Sequence, residues 1–453
     1  MMGRLDRATS RSCTVRLEEL VPADHLLRRV DQLLDLTPVV AELKPYYAST
    51  GRPSIAPELM LRMLLIGYLY GIRSERRLVE EVRLNLAYRW FCGLALDGAI
   101  PDASTFSKNR HGRFRGAAVF RRVFERVVDL CVSAGHAGGK AVSVDGSFVA
   151  ANASPVRRVD GNDVPAAWRE APSAQSHAVR SYLADLDTAA SLVGEEQQDE
   201  ASFVPKHTSL TDPQAAWSRI KNVGCFGYKA HFLIDNAHGI ILDAEGTDAR
   251  LSLEIVAARA MLERQQAGRG IAPALLAADK SYGTGAFLAW VAGRNIEPMV
   301  PVLDRTHQTN GMFPRDSFAY DAARDLYVCP SGHELHRGSY NARARTNHYR
   351  ARPGDCSACA LKPRCTTATV RKVERHWDEE VRERVRQLAG TPAFLAAARA
   401  RRKVEARFAQ MKHLAGLSRL RLRGITGVRE QVLLAAAALN LRSLVKLCPG
   451  LPA

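Results

Sequence analysis

Long apolar runs are the first thing this sequence lacks. Its most apolar stretch, Val432–Asn440 (VLLAAAALN), is too short to cross a bilayer and is soon followed by Arg442. The opening residues, MMGRLDRATSRSC, hold no apolar segment of the kind a secretory signal needs. The expectation is a cytoplasmic, nucleoid-associated protein with no membrane contact. Acidic residues are also in short supply: 47 Asp and Glu stand against 64 Lys and Arg, a net charge of +17. A basic excess of this size points to a polyanionic partner, most simply nucleic acid. A generally Arg-rich proteome would raise the charge as well, but here the basic residues are clustered. Cysteine is sparse. Cys13, Cys92, Cys131, Cys225 and Cys448 are scattered and read as core or surface residues. Structural disulfides are not expected in a reducing compartment, so the four cysteines between positions 329 and 365 suggest a metal site instead.

With 453 residues, 46% of them apolar and 25% charged, the chain has room for two or three globular domains. Residues 1–50 mix short helical patterns with a turn at Pro38 and carry no legible chemistry. From Gly51, GRPSIAPELMLRMLLIGYLYG predicts a buried helix behind a turn. Ser74–Asn85 predicts a second, capped by Ser74, and AYRWFCGL a third. In PDASTFSKNRHGRFR, Asp102 or Ser104 would cap a strongly basic helix. Short helices ending in a basic one resemble a helix-turn-helix DNA reader, with Lys108, Arg110, Arg113 and Arg115 as phosphate contacts; an all-helical domain with a solvated basic face fits equally.

After Gly138-Gly139 the pattern turns to strands: AVSVDGSFVAA (141–151), FGYKAHFLID (226–235), GIILDAEGT (239–247), ALLAADKSYG (274–283) and IEPMVPV (296–302). A helix over Leu251–Ala267 and another before IEPMVPV alternate with the later strands, which describes a mixed α/β sheet. Residues 155–208, polar and containing EEQQDE, read as a long loop or partly disordered insertion. The domains expected are a helical 1–135, a catalytic 136–304, a Cys- and Arg-rich insertion 305–398, and a 399–453 segment that completes the catalytic fold.

Arg401–Arg423 is helical in pattern, with Val404, Phe408, Met411 and Ala415 as its apolar stripe. Arg401, Glu405 and Lys412 flank that stripe, as they would in a solvated helix with i,i+4 ion pairs or at the edge of a metal site. Two aspartates upstream favour the second reading. Asp145 interrupts an otherwise apolar strand, and Asp279 ends another. A carboxylate beside a core strand is costly unless paired or bound to a cation. Two Mg²⁺ (or Mn²⁺) ions bridged by Asp145, with Asp279 and Glu405 adding ligands, would suit in-line phosphoryl transfer, with Arg401 and Lys412 holding phosphates. Each aspartate alone would also fit a strand-end turn or cap. Asp235, Asp243 and Asp248 are rivals that such turns explain better.

The order of elements, with VDGSFVAANAS, TDPQAAW, FGYKAHFLID, AADKSYG and RRKVEARFAQMK, resembles a bacterial insertion-sequence transposase of the DDE class. Within that class it is most similar to the family numbered eleven eighty-two, and the helical segment from GRPSIAPELM to PDASTFSKNR resembles the InsH-type N-terminal region. Together these matches cover most of residues 50–445. The resemblance implies an RNase H-like catalytic domain with Asp145, Asp279 and Glu405 as its triad. It implies cleavage at terminal inverted repeats, joining to target DNA, and a homodimer in the synaptic complex. Arg401, Glu405 and Lys412 match the spacing of a Tyr-Arg-Glu-Lys signature, whose tyrosine position falls on Ala398. An inactive DNA-binding regulator and an RNase H-like nuclease without strand joining are the alternatives. Cys329, Cys356, Cys359 and Cys365, spaced C-x26-C-x2-C-x5-C, would form a four-thiolate Zn²⁺ site with His333 as an alternative ligand, or remain reduced thiols.

Overall fold

The computed structural model describes residues 16–48, 50–51, 54–116, 118–161, 163–191, 205–220, 222–250, 252–303 and 311–448. The chain divides into two compact units. The first comprises residues up to Gly139, Asp145–Ile271 and Lys403 onward; the second comprises Lys140–Val144 and Ala272–Arg402.

In the first unit the N-terminal helices form where the pattern predicts. Pro57–Leu69 starts with proline at its first turn and buries Met60, Leu61, Met63, Leu64, Leu65, Ile66, Tyr68 and Leu69. Its apolar residues run round the whole cylinder, which suits a helix surrounded by protein. Glu75–Leu84 is capped by the Ser74 hydroxyl, and Ala103–His111 by the Asp102 carboxylate at 2.7 Å from the Ser104 N–H. Val119–Ser133 buries Phe120, Val123, Phe124, Val127 and Val128 at helical spacing. These helices do not enclose a core of their own. Their buried side chains are continuous with Phe232 and Ile234 of the sheet and with Val432–Leu439 of the C-terminal helix Gly424–Leu447. The helical region expected as a separate domain is therefore one layer of a larger unit.

The sheet of this unit is built on β5 (Val223–Asp235), long enough to pair antiparallel with β4 (Ala216–Ile220) along its first half and with β6 (Ile241–Asp248) along its second. The later part of β1 (Ala141–Ala150) and the residue after it lie beside β5, with the Ala151 N–H donating to Phe226 O at 2.9 Å. A register shift in β6 leaves the backbone of Ile241 to another partner. Buried Asn440 supplies it, accepting from Ile241 N–H at 2.9 Å and donating to Ile241 O at 2.8 Å.

Residues 155–208 are not the loop expected. Their described part holds β2 (Arg158–Asp160) paired with β3 (His207–Ser209) and the helix His177–Ser191. Trp168, Val179 and Leu183 give this segment a small core. The EEQQDE patch lies outside the described residues.

In the second unit the start of β1 pairs in parallel with β7 (Leu275–Ala277), and β7 with β8 (Glu297–Met299). Residues 311–376 fold into a separate antiparallel sheet of five strands. These are β9 (Ala319–Asp321), β10 (Leu326–Val328), β11 (Glu334–Asn341), β12 (Thr346–Ala351) and β13 (Lys372–His376), in the order β13-β12-β11-β10-β9. Their core is small: Phe318, Tyr327, Leu335, Tyr349, Ala351, Cys356 and Val373. Among the described residues no helix is long and apolar enough to cross a membrane.

Candidate active site

Asp145 sits in β1 between buried Val144 and half-buried Gly146, itself half-buried, with Oδ1 accepting the Gly146 N–H at 2.8 Å. Its strand is seated by shape as well as hydrogen bonds. Phe148 lies over Gly227 of β5, where a Cβ would come within 2.1 Å of the ring.

Glu405 is exposed on a helix that runs Arg402–His413. The stripe read from the sequence is the buried face: Val404, Phe408, Met411 and Ala415 are each at most 5% exposed. Phe408 stacks on Phe232 of β5, with centroids 4.6 Å apart and planes within 8°. Lys403 Nζ donates to Asn236 O and Ala237 O, and Arg407 Nε to Gly239 O at 2.7 Å, so cations from the helix satisfy the carbonyls of the β5–β6 turn. Lys412 Nζ donates to Ser147 Oγ at 2.8 Å, two residues along β1 from Asp145. Burial lowers the Lys412 pKa from its ordinary value.

The helix is shorter than expected at both ends. Arg401 caps the preceding helix Pro392–Ala400, its N–H donating to Ala397 O at 3.0 Å, and exposed Ala398 belongs to that helix too. Beyond His413 the chain turns at Gly416 (φ +70°) and runs beside β1, with the Leu420 N–H donating to Ala150 O at 2.8 Å. There Arg419 donates to Ala151 O and Ala153 O, and Arg423 to Asn152 O, so these guanidiniums serve the fold's own carbonyls.

Asp279, in the second unit, follows buried Leu276, Ala277 and Ala278. It caps the short turn Lys280–Tyr282, accepting from the Ser281 N–H at 2.8 Å and its hydroxyl at 2.5 Å. Of the rival acids, Asp235 does cap a turn, accepting from Ala237 and His238 N–H. Asp248 ends β6 and pairs with Arg250. Asp243 departs from expectation. It lies within β6, fully buried, and pairs with Arg121 at 2.7 Å and Arg264 at 3.0 Å.

The basic helix needs a correction. Lys108 is exposed, and Arg113 is half-buried over the Tyr47 ring at 4.5 Å. Arg110 is only 2% exposed and is ion-paired with Glu75 and Glu430, so it presents no guanidinium to a phosphate. The side chain of Arg115 lies outside what is described. A groove of about 680 Å³ is lined by exposed Arg73, Arg76 and Arg83 together with Ser104, Ser107, buried Arg110 and the acids Glu75, Glu80 and Asp102. Sequence reasoning missed the three exposed arginines, though the seven-residue spacing of Arg76 and Arg83 places both on one face of a helix.

The four cysteines of the second unit all line one small cavity. The Ser331 hydroxyl lies 3.2 Å from Cys359 Sγ and lowers that thiol's pKa, while burial raises that of Cys365. Among the described residues no three His, Cys, Asp or Glu side chains are placed so that they could hold a metal ion.

Residues 15–112 match the family model described as Transposase domain (DUF772), and residues 328–445 match the one described as Transposase DDE domain. Both matched stretches therefore carry transposase domains, which places the chain among enzymes of DNA transposition. At that level the chain is a DNA transposase, its second matched stretch carrying the DDE description. A solved structure, described as the cryo-EM structure of a piggyBac transposase synaptic complex with hairpin DNA, shares 8% identity with it. The match covers 94% of this chain and 76% of that one at a TM-score of 0.34, which is too slight to define a common fold.

Proposed function

We propose that this transposase cleaves at the terminal inverted repeats of its own element and joins the freed 3′-hydroxyl to target DNA, using Asp145, Asp279 and Glu405. Both steps are in-line displacements at phosphorus, so one site can serve both. Each aspartate is supported by its own setting: within the first unit Asp145 follows buried Val144 in β1, and within the second Asp279 stands two residues beyond the end of β7. Within the first unit the Lys412–Ser147 hydrogen bond ties the Glu405 helix to β1.

Three carboxylates are hard oxygen donors that suit Mg²⁺ or Mn²⁺. Two such ions, when bound, would activate the attacking water and stabilise the leaving oxygen. The chain's own part is to hold the acids and the phosphate. Lys412, half-buried with a lowered pKa, gains from an anionic neighbour, and Arg401 is the second cation in this reading. Lys108 and Arg113, with the exposed arginines of the groove, are the proposed end-DNA contacts. We read the catalytic fold as RNase H-like, the family as the one numbered eleven eighty-two, the working complex as a homodimer, and the second unit as holding a structural Zn²⁺.

The test is cleavage of a duplex carrying the element's end, with Mg²⁺ present. Asp145→Asn, Asp279→Asn and Glu405→Gln should each cut cleavage by roughly 10³-fold or more while leaving end binding largely intact. Wild-type-like cleavage by any of them removes that residue from the site. A strand-joining assay with the same substrate separates a transposase from a nuclease, and absence of nicking by the unaltered chain would mark a regulator.

A further inference from the structure

The phosphoryl chemistry makes no use of the cysteines of the second unit, yet the fold gathers all four. We propose that Cys329, Cys356, Cys359 and Cys365 hold one Zn²⁺ as a four-thiolate shell, and that this ion staples the five-stranded sheet. Cys329 follows β10 and opens a tight turn: its N–H donates to His333 O at 2.9 Å, and the Gly332 N–H donates to Cys329 O at 2.8 Å. That turn needs the left-handed backbone of Gly332 (φ +83°). Cys356 lies in the helix Pro353–Ser357, and Cys365 ends the helix Lys362–Cys365. Cys359 lies between the two, its carbonyl accepting from the Lys362 N–H at 3.1 Å. Arg371 then ties the segment together, donating to Cys365 O at 2.7 Å and Phe313 O at 3.0 Å.

The cavity they share measures about 20 Å³, room for one atom-sized occupant and far too little for a nucleotide. Phe313, Leu335, Ala351 and Leu361 complete an apolar wall. Four soft sulfur donors around a single-atom space match zinc better than any hard cation. Binding would displace four thiol protons to solvent, with no oxidant needed. Lys362 and Arg371, which also line the cavity, offset the resulting negative charge. Among the described residues no three His, Cys, Asp or Glu side chains are placed to hold a metal ion, so binding requires the sulfurs to move. His333 lines the same cavity, but its ring is 44% exposed and lies 3.8 Å from Asp355, which leaves the fourth position to sulfur. The ion has a structural task. Seven buried side chains are a thin core for five strands, and a metal cross-link would add to what that core supplies.

The proposal stands apart from the acid triad, and its test uses no DNA. Full-length protein purified without chelator should carry one zinc per chain by elemental analysis. His333→Ala should keep it, and the double variant Cys356→Ser, Cys359→Ser should fall to near zero. Because the double variant could misfold, the unaltered chain should also be exchanged with Co²⁺, giving the visible absorption of tetrahedral four-thiolate coordination. Chelator should then speed proteolysis within residues 311–376, and zinc should reverse it. Unaltered protein without stoichiometric zinc, loss of the metal in His333→Ala, or a cobalt spectrum of fewer than four thiolates would overturn the proposal.

Discussion

At the scale of single residues, burial decides what a charge does. Arg110 and Lys108 belong to the same basic run, yet one is sealed beside Glu75 and Glu430 and the other faces solvent. Two further buried groups give the first unit a pH response. Burial pushes the His231 pKa down from 6.5 to about 3, so the unfolded chain takes up the proton first and stability falls as pH drops below 6.5. Burial pushes Asp212 up from 3.8 to about 6, against hydrogen bonds from the Tyr228 hydroxyl and the Gly424 N–H. Here the folded chain holds the proton more tightly, so this group gains stability as pH falls from 6 toward 3.8. The two oppose, and His231 is displaced further. Asp212→Asn keeps an acceptor oxygen but removes the compensating proton. Its unfolding free energy, from urea titrations at about pH 7 and pH 4.5, should therefore drop by about 2 kcal/mol more than that of the unaltered chain. Equal drops would mean that Asp212 titrates as an exposed acid does.

At the scale of elements, the Glu405 helix and β1 are positioned by packing that the acids themselves do not make. Phe408 on Phe232, and Phe148 over Gly227, set the two elements against β5. A methyl group at position 227 would meet the Phe148 ring, forcing either the ring or the strand to move. Gly227→Ala should cost about 1–3 kcal/mol in urea unfolding. It should also slow DNA nicking, although it touches no acid. Unchanged nicking at full stability would show that β1 tolerates displacement. The apolar stripe of the Glu405 helix was legible because burial repeats every 3.6 residues, but the helix ends were not. The chain leaves the helix through local bonds such as the Leu417 N–H to Met411 O and the left-handed Gly416, and only then pairs with distant Ala150 through Leu420.

At the scale of the whole molecule, the charge of +17 remains a statement about partners, although several arginines are held in internal ion pairs. Arg121 and Arg264 pair with Asp243, and Arg315, Arg382 and Arg386 converge on Glu379, only 1% exposed. The surface cations that remain should make end binding steeply salt-dependent. If six phosphates are neutralised, affinity should fall roughly 10³-fold between 50 and 200 mM salt. Titration of labelled end DNA across that range measures the slope, and a nearly flat response would rule out phosphate-dominated binding.

By itself the sequence determined local properties: the helices from Pro57 onward and the strands around Asp145 and Asp279, though not the elements within 155–208 or the strands of 319–376, together with the apolar face of the Glu405 helix and the cysteine spacing. It also carried the resemblance that the two transposase matches bear out at the level of class. Only the tertiary structure decided which arginines face outward, that the N-terminal helices share a core with the sheet, and that four cysteines line one cavity. The physical reason is one of range. Periodicity and capping act over a few neighbouring residues, whereas burial and ion pairing join positions as distant as Arg110 and Glu430.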